Sequence, residues 1–368
     1  MSGRLCVCLC ACACVRESER AVSGGIFERY DFEFERISAE IRKRGAKIVG
    51  IQLPSGLKRF ASQIADEISN CGGGVEVLIS ADSCYGACDI DEKLASLVDV
   101  LFHFGHSEIP LKLKNVVFVE LRSKVDVKPA VKNALKFLKG SKICVTTTVQ
   151  HVHALKDAVE ILSSSGKEAV VAGGSTRGSE ASGKTSGEAS GVVGGVSGVC
   201  RAKYRGQVLG CDFSAVVEDC DEVLFIGSGG FHPAGIALRS GKRVVAADPF
   251  TLRVSVFNAE DLRMRRILTV EKAFSAASFG ILVCTKIGQL NLRYARRLRE
   301  KAEMRGLRSF LLVASEIKEE TLREFDADAY VNTACPRLVE DFAAFEKPVL
   351  TPAEFELILG ERSWDEIF

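Results

Sequence analysis

Three cysteines, spaced almost evenly along the chain, lie in surroundings that suit metal chemistry. They are Cys88, Cys211 and Cys335, which are 123 and 124 residues apart. Cys88 opens CDIDEKLASLVDVLF and Cys211 opens CDFSAVVEDCDEVLF, so the same VLF run begins 12 residues after each. Cys335 opens CPRLVEDFAAFEKPVL, with Val349 at 14 residues. The pattern predicts a repeated structural unit that carries one cysteine in each copy.

Each of these cysteines is predicted to end a strand and begin a short helix, where the helix N-terminus favours the thiolate form. Ligands of parallel sheets bind outside the carboxyl ends of the strands, so three such corners could face one axis. Three thiolates suit a 4Fe-4S cluster that keeps its fourth iron open for chemistry. They would also suit a zinc ion with an open fourth position.

The elements that must position these cysteines are short apolar runs that alternate with amphipathic stretches. Such alternation predicts parallel sheets covered on both faces. The sequence therefore predicts an α/β fold of three homologous domains, each a small parallel sheet flanked by helices, with pseudo-threefold symmetry around a central cluster. The predicted domains are residues 26–136 with Cys88, 137–252 with Cys211, and 253–368 with Cys335. The predicted strands are KIVGIQL, VEVLIS, DVLFHFG, VVFVEL, SKICVTTT, EAVVAGG, EVLFIG, RVVAAD, GILVCT, SFLLVAS, DAYVNT and KPVLT.

Residues 1–25 are predicted to form a Cys-rich, disordered extension. It contains LCVCLCACACV, between Arg4 and Arg16. This run has about the length of a signal-peptide core, but no A-x-A cleavage site follows it. Alternating cysteines could instead bind a soft metal or carry palmitate. The other cysteines are scattered among apolar segments, which is typical of a reducing cytosol and predicts a cytoplasmic location.

Charge and hydropathy argue against two kinds of partner. Lys and Arg total 49 against 48 Asp and Glu, a net charge of +1, so the chain has no basic footprint for direct binding of nucleic acid. No apolar run reaches the roughly 18–20 residues that a membrane span requires. A hydrophobic fraction of 47% with 26% charged residues is typical of a soluble globular protein.

A Gly/Ser-rich tract at residues 173–199 is predicted to be a flexible insertion in the second domain. It contains GSEASGKT, from Gly178 to Thr185, which matches the pattern of a phosphate-binding P-loop. A P-loop needs a strand directly before it and a helix directly after it, and neither is predicted here.

Deleting residues 175–197 is expected to leave bound metal and thermal stability nearly unchanged, because a Gly/Ser tract buries little apolar surface. Thermal unfolding and metal content of the deletion variant, measured beside the full chain, check this expectation. A loss of folded protein would show that the tract is structural.

The segment GSGGFHPAG is the best candidate for a ligand-binding loop, since its glycines would let backbone N–H groups approach an anionic group. Ser228 could add a hydroxyl, and Asp248 could hold a ribose or an amine, or simply cap a turn. The histidine pairs 103 with 106 and 151 with 153 could bind a metal or serve structural roles. The candidates for cofactor contact are Gly227, Gly229, Gly230, His232 and Asp248.

Six motifs, taken in order along the chain, resemble those of a known family. This set resembles the archaeal diphthamide-biosynthesis enzymes, the 2-(3-amino-3-carboxypropyl)histidine synthases, an atypical radical S-adenosylmethionine family. The resemblance covers roughly residues 30–365 and implies that Cys88, Cys211 and Cys335 hold the cluster. Cys84 falls outside the implied set, and the matching offsets in the other copies hold Gln207 and Val331. The motifs are GIQLPSGL (50–57), YGACD (85–89), GQVLGCDFS (206–214), GFHPAG (230–235), ACPR (334–337) and KPVLTPAE (347–354).

The resemblance implies a transferase that catalyses the first step of diphthamide biosynthesis. Its 4Fe-4S cluster would cleave the Cγ–S bond of S-adenosylmethionine, and a 3-amino-3-carboxypropyl radical would add to imidazole C2 of a histidine on translation elongation factor 2. Methylthioadenosine would be released. The resemblance also implies an electron donor and a homodimer, because the archaeal members of the family are homodimers. The eukaryotic enzymes pair two different subunits, and the partner subunit lacks the middle cysteine. The presence of all three cysteines here therefore indicates the catalytic type.

Two alternatives remain open from the residues. A quinolinate synthase-like dehydratase would also receive one cysteine from each of three domains, but it has no need of S-adenosylmethionine. A non-catalytic subunit would carry a cluster and cleave no cofactor.

Overall fold

The computed structural model of the protein describes residues 25–110, 113–174 and 202–367. All of the predicted N-terminal extension except Gly25 lies outside these residues. All of the predicted insertion except Gly173 and Gly174 lies outside them as well.

The strands are short and mostly buried. All the predicted strands are confirmed. Their central members fill the interior, whereas the edge strands at Glu76–Ile79, Glu168–Val170 and Arg308–Ala314 are apolar runs that are only half-buried. β1, β6 and β11 were not predicted, because each is very short or half-exposed and none has a continuous apolar run. The strands are β1 (Tyr30–Asp31), β2 (Ile48–Gln52), β3 (Glu76–Ile79), β4 (Val100–Phe104), β5 (Val116–Val119), β6 (Arg122–Ser123), β7 (Lys142–Thr147), β8 (Glu168–Val170), β9 (Glu222–Ile226), β10 (Arg243–Ala247), β11 (Val254–Phe257), β12 (Ser278–Cys284), β13 (Arg308–Ala314), β14 (Ala329–Asn332) and β15 (Val349–Leu350).

Helices connect most of these strands and supply the apolar faces that cover the sheets. Short 3-10 helices lie at Ser55–Phe60, Val149–Ala154 and Trp364–Glu366. The α-helices are Ile26–Arg29, Phe34–Arg44, Ala61–Cys71, Glu92–Leu97, Lys128–Ala134, Leu155–Ser164, Phe231–Ser240, Ala259–Ala273, Leu292–Met304, Glu319–Arg323, Arg337–Asp341 and Pro352–Ile358.

Three of the sheets share one topology. Their orders are β3-β2-β4-β5, β8-β7-β9-β10-β11 and β13-β12-β14-β15. In each sheet, the first strand in chain order lies between the second and the third, and the fourth strand lies beyond the third. These strands pair in parallel, and the extra strand β11 pairs antiparallel with β10. The predicted α/β fold of small parallel sheets flanked by helices is confirmed, and the shared strand order is the structural counterpart of the sequence repeat.

Each of the three sheets has its own hydrophobic core. In the first, Ile51 and Phe102 pack with helix residues such as Ile64, and all three are fully buried. In the second, residues of β7, β9 and β10 pack with the helices Lys128–Ala134 and Leu155–Ser164. The third core joins β12 and β14 to the helices around Leu298 and Phe355. Burying aliphatic and aromatic side chains stabilises each layer by roughly 1.5–3 kcal/mol per side chain.

The chain forms two compact units by its internal contacts. The first holds the first and second sheets, and the second holds the third sheet from Asn258 onward. The helix Lys128–Ala134 packs in the second core, although the predicted boundary after residue 136 assigns it to the first domain. The division into three domains at residues 26–136, 137–252 and 253–368 stays a prediction.

Candidate metal centre

Cys88 lies in a turn, half-buried, between the end of β3 and the helix Glu92–Leu97. The Asp89 N–H donates to the Gly86 carbonyl at 3.0 Å, and the Tyr85 N–H donates to Asp89 Oδ2 at 3.1 Å. The prediction that this cysteine ends a strand and begins a helix is therefore wrong. Local hydrogen bonds of Asp89, rather than a helix N-terminus, fix the Cys88 backbone.

The Cys88 turn is anchored on the carboxyl end of β2. Gln52, the last residue of that strand, donates through Nε2 to the Asp89 carbonyl at 2.8 Å. Its Oε1 accepts the Asp91 N–H at 3.1 Å. Asp91 in turn caps the following helix by accepting the Leu94 N–H at 2.9 Å, and it accepts the Ser80 hydroxyl at 2.7 Å. One buried amide thus holds the segment that presents Cys88.

Cys211 also lies in a turn, and this residue is exposed. Leu209 and Asp212 exchange backbone hydrogen bonds of 2.9 and 3.2 Å on either side of it. The Val208 N–H donates to the Thr147 carbonyl at 2.9 Å, which places this turn at the carboxyl end of β7. Residues 211–221 contain no helix, so the predicted helix after this cysteine is wrong as well.

Cys335 does follow a strand and precede a short helix. It comes three residues after Asn332, the end of β14, and just before the helix Arg337–Asp341. The Asn332 side chain donates to the Cys335 carbonyl at 2.8 Å and accepts the Ala334 N–H at 3.0 Å. The predicted arrangement is confirmed for this cysteine alone.

The three cysteines do not occupy one equivalent connection. Cys88 and Cys211 lie between the second and third strands of their sheets, whereas Cys335 lies between the third and fourth. The prediction of one shared corner is therefore wrong in detail. Because parallel strands all end at the same edge, loops after different strands can still present a side chain at the carboxyl end of each sheet.

A buried hydrogen-bond network joins the Cys88 and Cys211 turns within the first unit. Gln207, four residues before Cys211, donates through Nε2 to the Ser107 hydroxyl at 2.7 Å, and both side chains are almost fully buried. Ser107 follows His106, whose Nδ1 lies 2.9 Å from His103 Nε2. His103 Nδ1 lies 2.9 Å from Gln52 Oε1. The network therefore runs from the residue that holds the Cys88 turn to a residue that holds the Cys211 turn.

Both histidines of this network are held neutral. Burial keeps the pKa of His103 well below its usual range, and the neighbouring His106 lowers it further. Burial lowers the pKa of His106 to about 4. A desolvated imidazolium is costly, so neutral rings are the stable form at ordinary pH. The roles of Gln52 and Gln207 were missed from sequence, and the only signal was a polar residue inside an apolar run.

The glycine-rich loop after β9 packs directly against the Cys211 turn. A Cβ placed on Gly210 would lie 2.4 Å from Phe231 Cε1, so only glycine fits beneath that ring. On the other side, the Phe213 ring lies 2.7 Å from the position of a Cβ on Gly235. The segment GSGGFHPAG therefore lies beside Cys211, as a cofactor loop would require.

The five predicted cofactor residues lie in or near this loop. Gly229 has φ of 84° and Gly227 has φ of 154°, backbone conformations that favour glycine. His232 stacks on Phe225 with centroids 5.8 Å apart and rings 15° from parallel. Asp248 accepts the Ser228 hydroxyl at 2.9 Å and the Phe250 N–H at 2.8 Å, so it caps a turn. Contact of Gly227, Gly229, Gly230, His232 and Asp248 with a cofactor stays a prediction.

Comparison with known proteins identifies the family. A family model described as putative diphthamide synthesis protein matches residues 53–368. The chain belongs to this family. It is 38% identical to 2-(3-amino-3-carboxypropyl)histidine synthase of Pyrococcus horikoshii, over 90% of this chain and 92% of that protein. It is 29% identical to subunit 1 of the synthase of Gallus gallus, over 94% of this chain and 81% of that protein.

A solved structure of a similar protein supports the fold. The crystal structure of Dph2 from Pyrococcus horikoshii with a 4Fe-4S cluster matches with a TM-score of 0.78 and 36% identity. The match covers 91% of this chain and 92% of that one. In this chain, Cys88, Cys211 and Cys335 form no disulfide. The segment around each cysteine is hydrogen bonded to the carboxyl end of a strand in its own sheet. Such a thiol set fits a 4Fe-4S cluster.

Proposed function

We propose that the protein is a 2-(3-amino-3-carboxypropyl)histidine synthase that transfers the 3-amino-3-carboxypropyl group of S-adenosylmethionine to a histidine of translation elongation factor 2. The observation that carries the proposal is the placement of one cysteine at the carboxyl edge of each of three sheets with the same strand order. Family membership supports the same activity.

Cys88, Cys211 and Cys335 would hold a 4Fe-4S cluster and leave one of its irons without a protein thiolate. When bound, this group supplies the electron that breaks the Cγ–S bond of S-adenosylmethionine, and methylthioadenosine leaves. The chain holds the turns that carry the cysteines in fixed positions. The hydrogen bonds of Gln52 and Gln207 fix two of the three turns, so the thiolates need little reorganisation to bind.

The glycine-rich loop would bind and orient S-adenosylmethionine beside Cys211. Its backbone can approach an anionic group closely at Gly229, where a Cβ would meet nothing within 4 Å. Phe231, at the start of the next helix, packs against Gly210 in the Cys211 turn, while Cys211 itself is exposed.

The resemblance to the family also supports a proposal for the oligomeric state and the cellular location. The protein would act as a homodimer in the cytoplasm and receive electrons from a separate donor. Among the residues that the structure describes, no helix is both long and apolar enough to cross a membrane.

Release of methylthioadenosine tests the proposed function. Anaerobically reconstituted protein, incubated with S-adenosylmethionine and a reductant, is expected to release methylthioadenosine, quantified by chromatography. Release of 5′-deoxyadenosine instead would contradict the proposed bond cleavage. A cluster with no cofactor cleavage would favour the quinolinate synthase-like alternative or a non-catalytic subunit.

Gly229→Val is expected to weaken S-adenosylmethionine binding at least tenfold while bound iron is kept. Valine disfavours the φ of 84° at this position, so the loop backbone must move. Gly166→Val is the matched control, because Gly166 has φ of 79° and also has nothing within 4 Å of its Cβ position, but lies outside the loop. Calorimetric titration with S-adenosylmethionine separates the two variants. Equal affinity in both would count against the loop.

A further inference from the structure

Cys84, His103 and His106 bring three metal-binding atoms together below the Cys88 turn. The Sγ of Cys84 lies 4.0 Å from His103 Nε2, and His106 Nδ1 lies 2.9 Å from the same nitrogen. One donor atom from each residue falls within 4.8 Å of the others. Cys84 and His103 are buried and His106 is half-buried. Neither the proposed cluster nor the cofactor loop uses these residues.

The hydrogen bonds of Gln52 decide which nitrogen of His103 is available. Its Nε2 donates to the Asp89 carbonyl and its Oε1 accepts the Asp91 N–H, so the orientation of the amide is fixed by backbone groups on both sides. Because Oε1 can only accept, His103 Nδ1 carries the ring proton. The lone pair of Nε2 then points toward Cys84 and His106. Metal-binding histidines are oriented by this kind of second hydrogen bond.

We propose that Cys84, His103 and His106 form a mononuclear site for a thiophilic divalent cation, with Zn²⁺ as the best fit, separate from the three-cysteine centre. One thiolate and two neutral imidazoles are ligands that zinc prefers, and the fourth position would be taken by water. Magnesium and calcium require oxygen ligands, which this donor set lacks. The site does not depend on the proposed function.

The present distances are close to those of a tetrahedral zinc site. With Zn–N near 2.05 Å and Zn–S near 2.3 Å, ligand nitrogens lie about 3.3 Å apart and a nitrogen–sulfur pair about 3.6 Å apart. The His103–His106 distance of 2.9 Å must open slightly, and the Cys84–His103 distance of 4.0 Å must close slightly. Binding releases the Cys84 thiol proton to solvent. The proton between the two rings moves to Nε2 of His106, so that Nδ1 can coordinate.

The metal would link the segments that carry Cys88 and Cys211 in the first unit. Cys84 comes four residues before Cys88, so a bond from its sulfur to the metal ties that connection to β4 through His103. Ser107, next to His106, accepts the hydrogen bond of Gln207 from the Cys211 side. The ion would therefore stabilise the first unit around these turns, whereas protein hydrogen bonds hold Cys88 and Cys211 in place without it.

Zinc binding is tested in a protein that lacks the other cysteines considered as metal ligands. The background carries Ser in place of the five N-terminal cysteines (Cys6, Cys8, Cys10, Cys12 and Cys14) and of Cys88, Cys211 and Cys335. After incubation with Zn²⁺ and gel filtration, about one zinc per chain is expected by mass spectrometry of the metal. Co²⁺ in its place is expected to show a thiolate-to-cobalt charge-transfer band. Cys84→Ser, His103→Gln and His106→Gln should each weaken binding at least tenfold.

The test includes matched control variants and also the protein that retains Cys88, Cys211 and Cys335. Cys71→Ser and His153→Gln in the same background should leave zinc uptake unchanged. Circular dichroism identifies the folded variants, and zinc should raise the Tm of the background by several degrees but not that of His106→Gln. In the protein with its own three cysteines, His106→Gln should lose zinc and keep iron. No zinc in folded background protein, or uptake that survives both Cys84→Ser and His106→Gln, would overturn the proposal.

Discussion

Replacing Cys88, Cys211 or Cys335 singly by Ser is expected to lower bound iron from about four per chain to below one, because a 4Fe-4S cluster with three protein thiolates has none to spare. Methylthioadenosine production should fall with the iron. Ligation by three distant segments also couples cluster binding to folding of the whole chain, since such a site cannot exist in the unfolded state. Iron and sulfide analysis after anaerobic reconstitution is the measurement.

Cys84→Ser is the matched control for these three variants. Cys84 lies in the same connection as Cys88 and is more deeply buried, so it tests whether loss of any nearby thiol destabilises the turn. It is expected to keep its iron and its methylthioadenosine production, while it loses the proposed zinc and a little stability. If Cys84→Ser loses iron while Cys88→Ser keeps it, the assignment of the cluster ligands is wrong.

Glu354→Ala is expected to cost about 3–5 kcal/mol of the free energy of unfolding of the second unit. Glu354 and Arg266 are both buried, and they form a bidentate pair with distances of 2.9 and 2.6 Å. Glu354 also completes the capping box of its helix by accepting the Thr351 N–H at 2.7 Å. Removing the carboxylate leaves a buried guanidinium that, among the described residues, keeps one hydrogen-bond acceptor, the Val349 carbonyl at 3.0 Å.

Urea unfolding followed by fluorescence of Trp364 measures this loss, because the single tryptophan of the chain lies in the second unit. The double variant Arg266→Met with Glu354→Met should recover much of the loss, since it leaves no unpaired buried charge. Glu346→Ala, which breaks the exposed pair with Arg323, is the control and should change stability little. Equal effects of Glu354→Ala and Glu346→Ala would contradict the assigned importance of burial.

The sheets could be predicted from sequence because their central strands are buried on both faces. Runs such as Val100–Phe104 and Ser278–Cys284 are continuously apolar or nearly so, and every residue of both is buried. β11 could not be predicted in this way, since Ser255 and Val256 are exposed and the strand pairs only along one edge. The order of the strands in each sheet could not be predicted from the sequence either, because no local sequence pattern shows which strands are neighbours.

The assignment of the three cysteines as ligands stays a prediction, and their local structure could not be predicted from the sequence. The spacing of VLF after Cys88 and Cys211 reflects a real repeat, yet both cysteines lie in turns. The Asp89 side chain holds the first turn, and backbone hydrogen bonds between Leu209 and Asp212 hold the second. Cys335 matched the repeat only approximately, and it belongs to a different connection.

The buried network was missed for a related reason. Gln52 and Gln207 each appear as one polar residue in an apolar context, and only the fold shows that they meet His103 and Ser107. Long-range pairs of this kind leave no periodic signal in the chain.

Mass spectrometry of translation elongation factor 2 tests the central claim most directly. The reconstituted protein is incubated anaerobically with S-adenosylmethionine, a reductant and elongation factor 2 that lacks diphthamide. The account predicts that one histidine of elongation factor 2 gains the mass of a 3-amino-3-carboxypropyl group, and that Cys211→Ser abolishes the change. Unmodified elongation factor 2, in a reaction where cluster-loaded protein and a working positive control are both present, would contradict it.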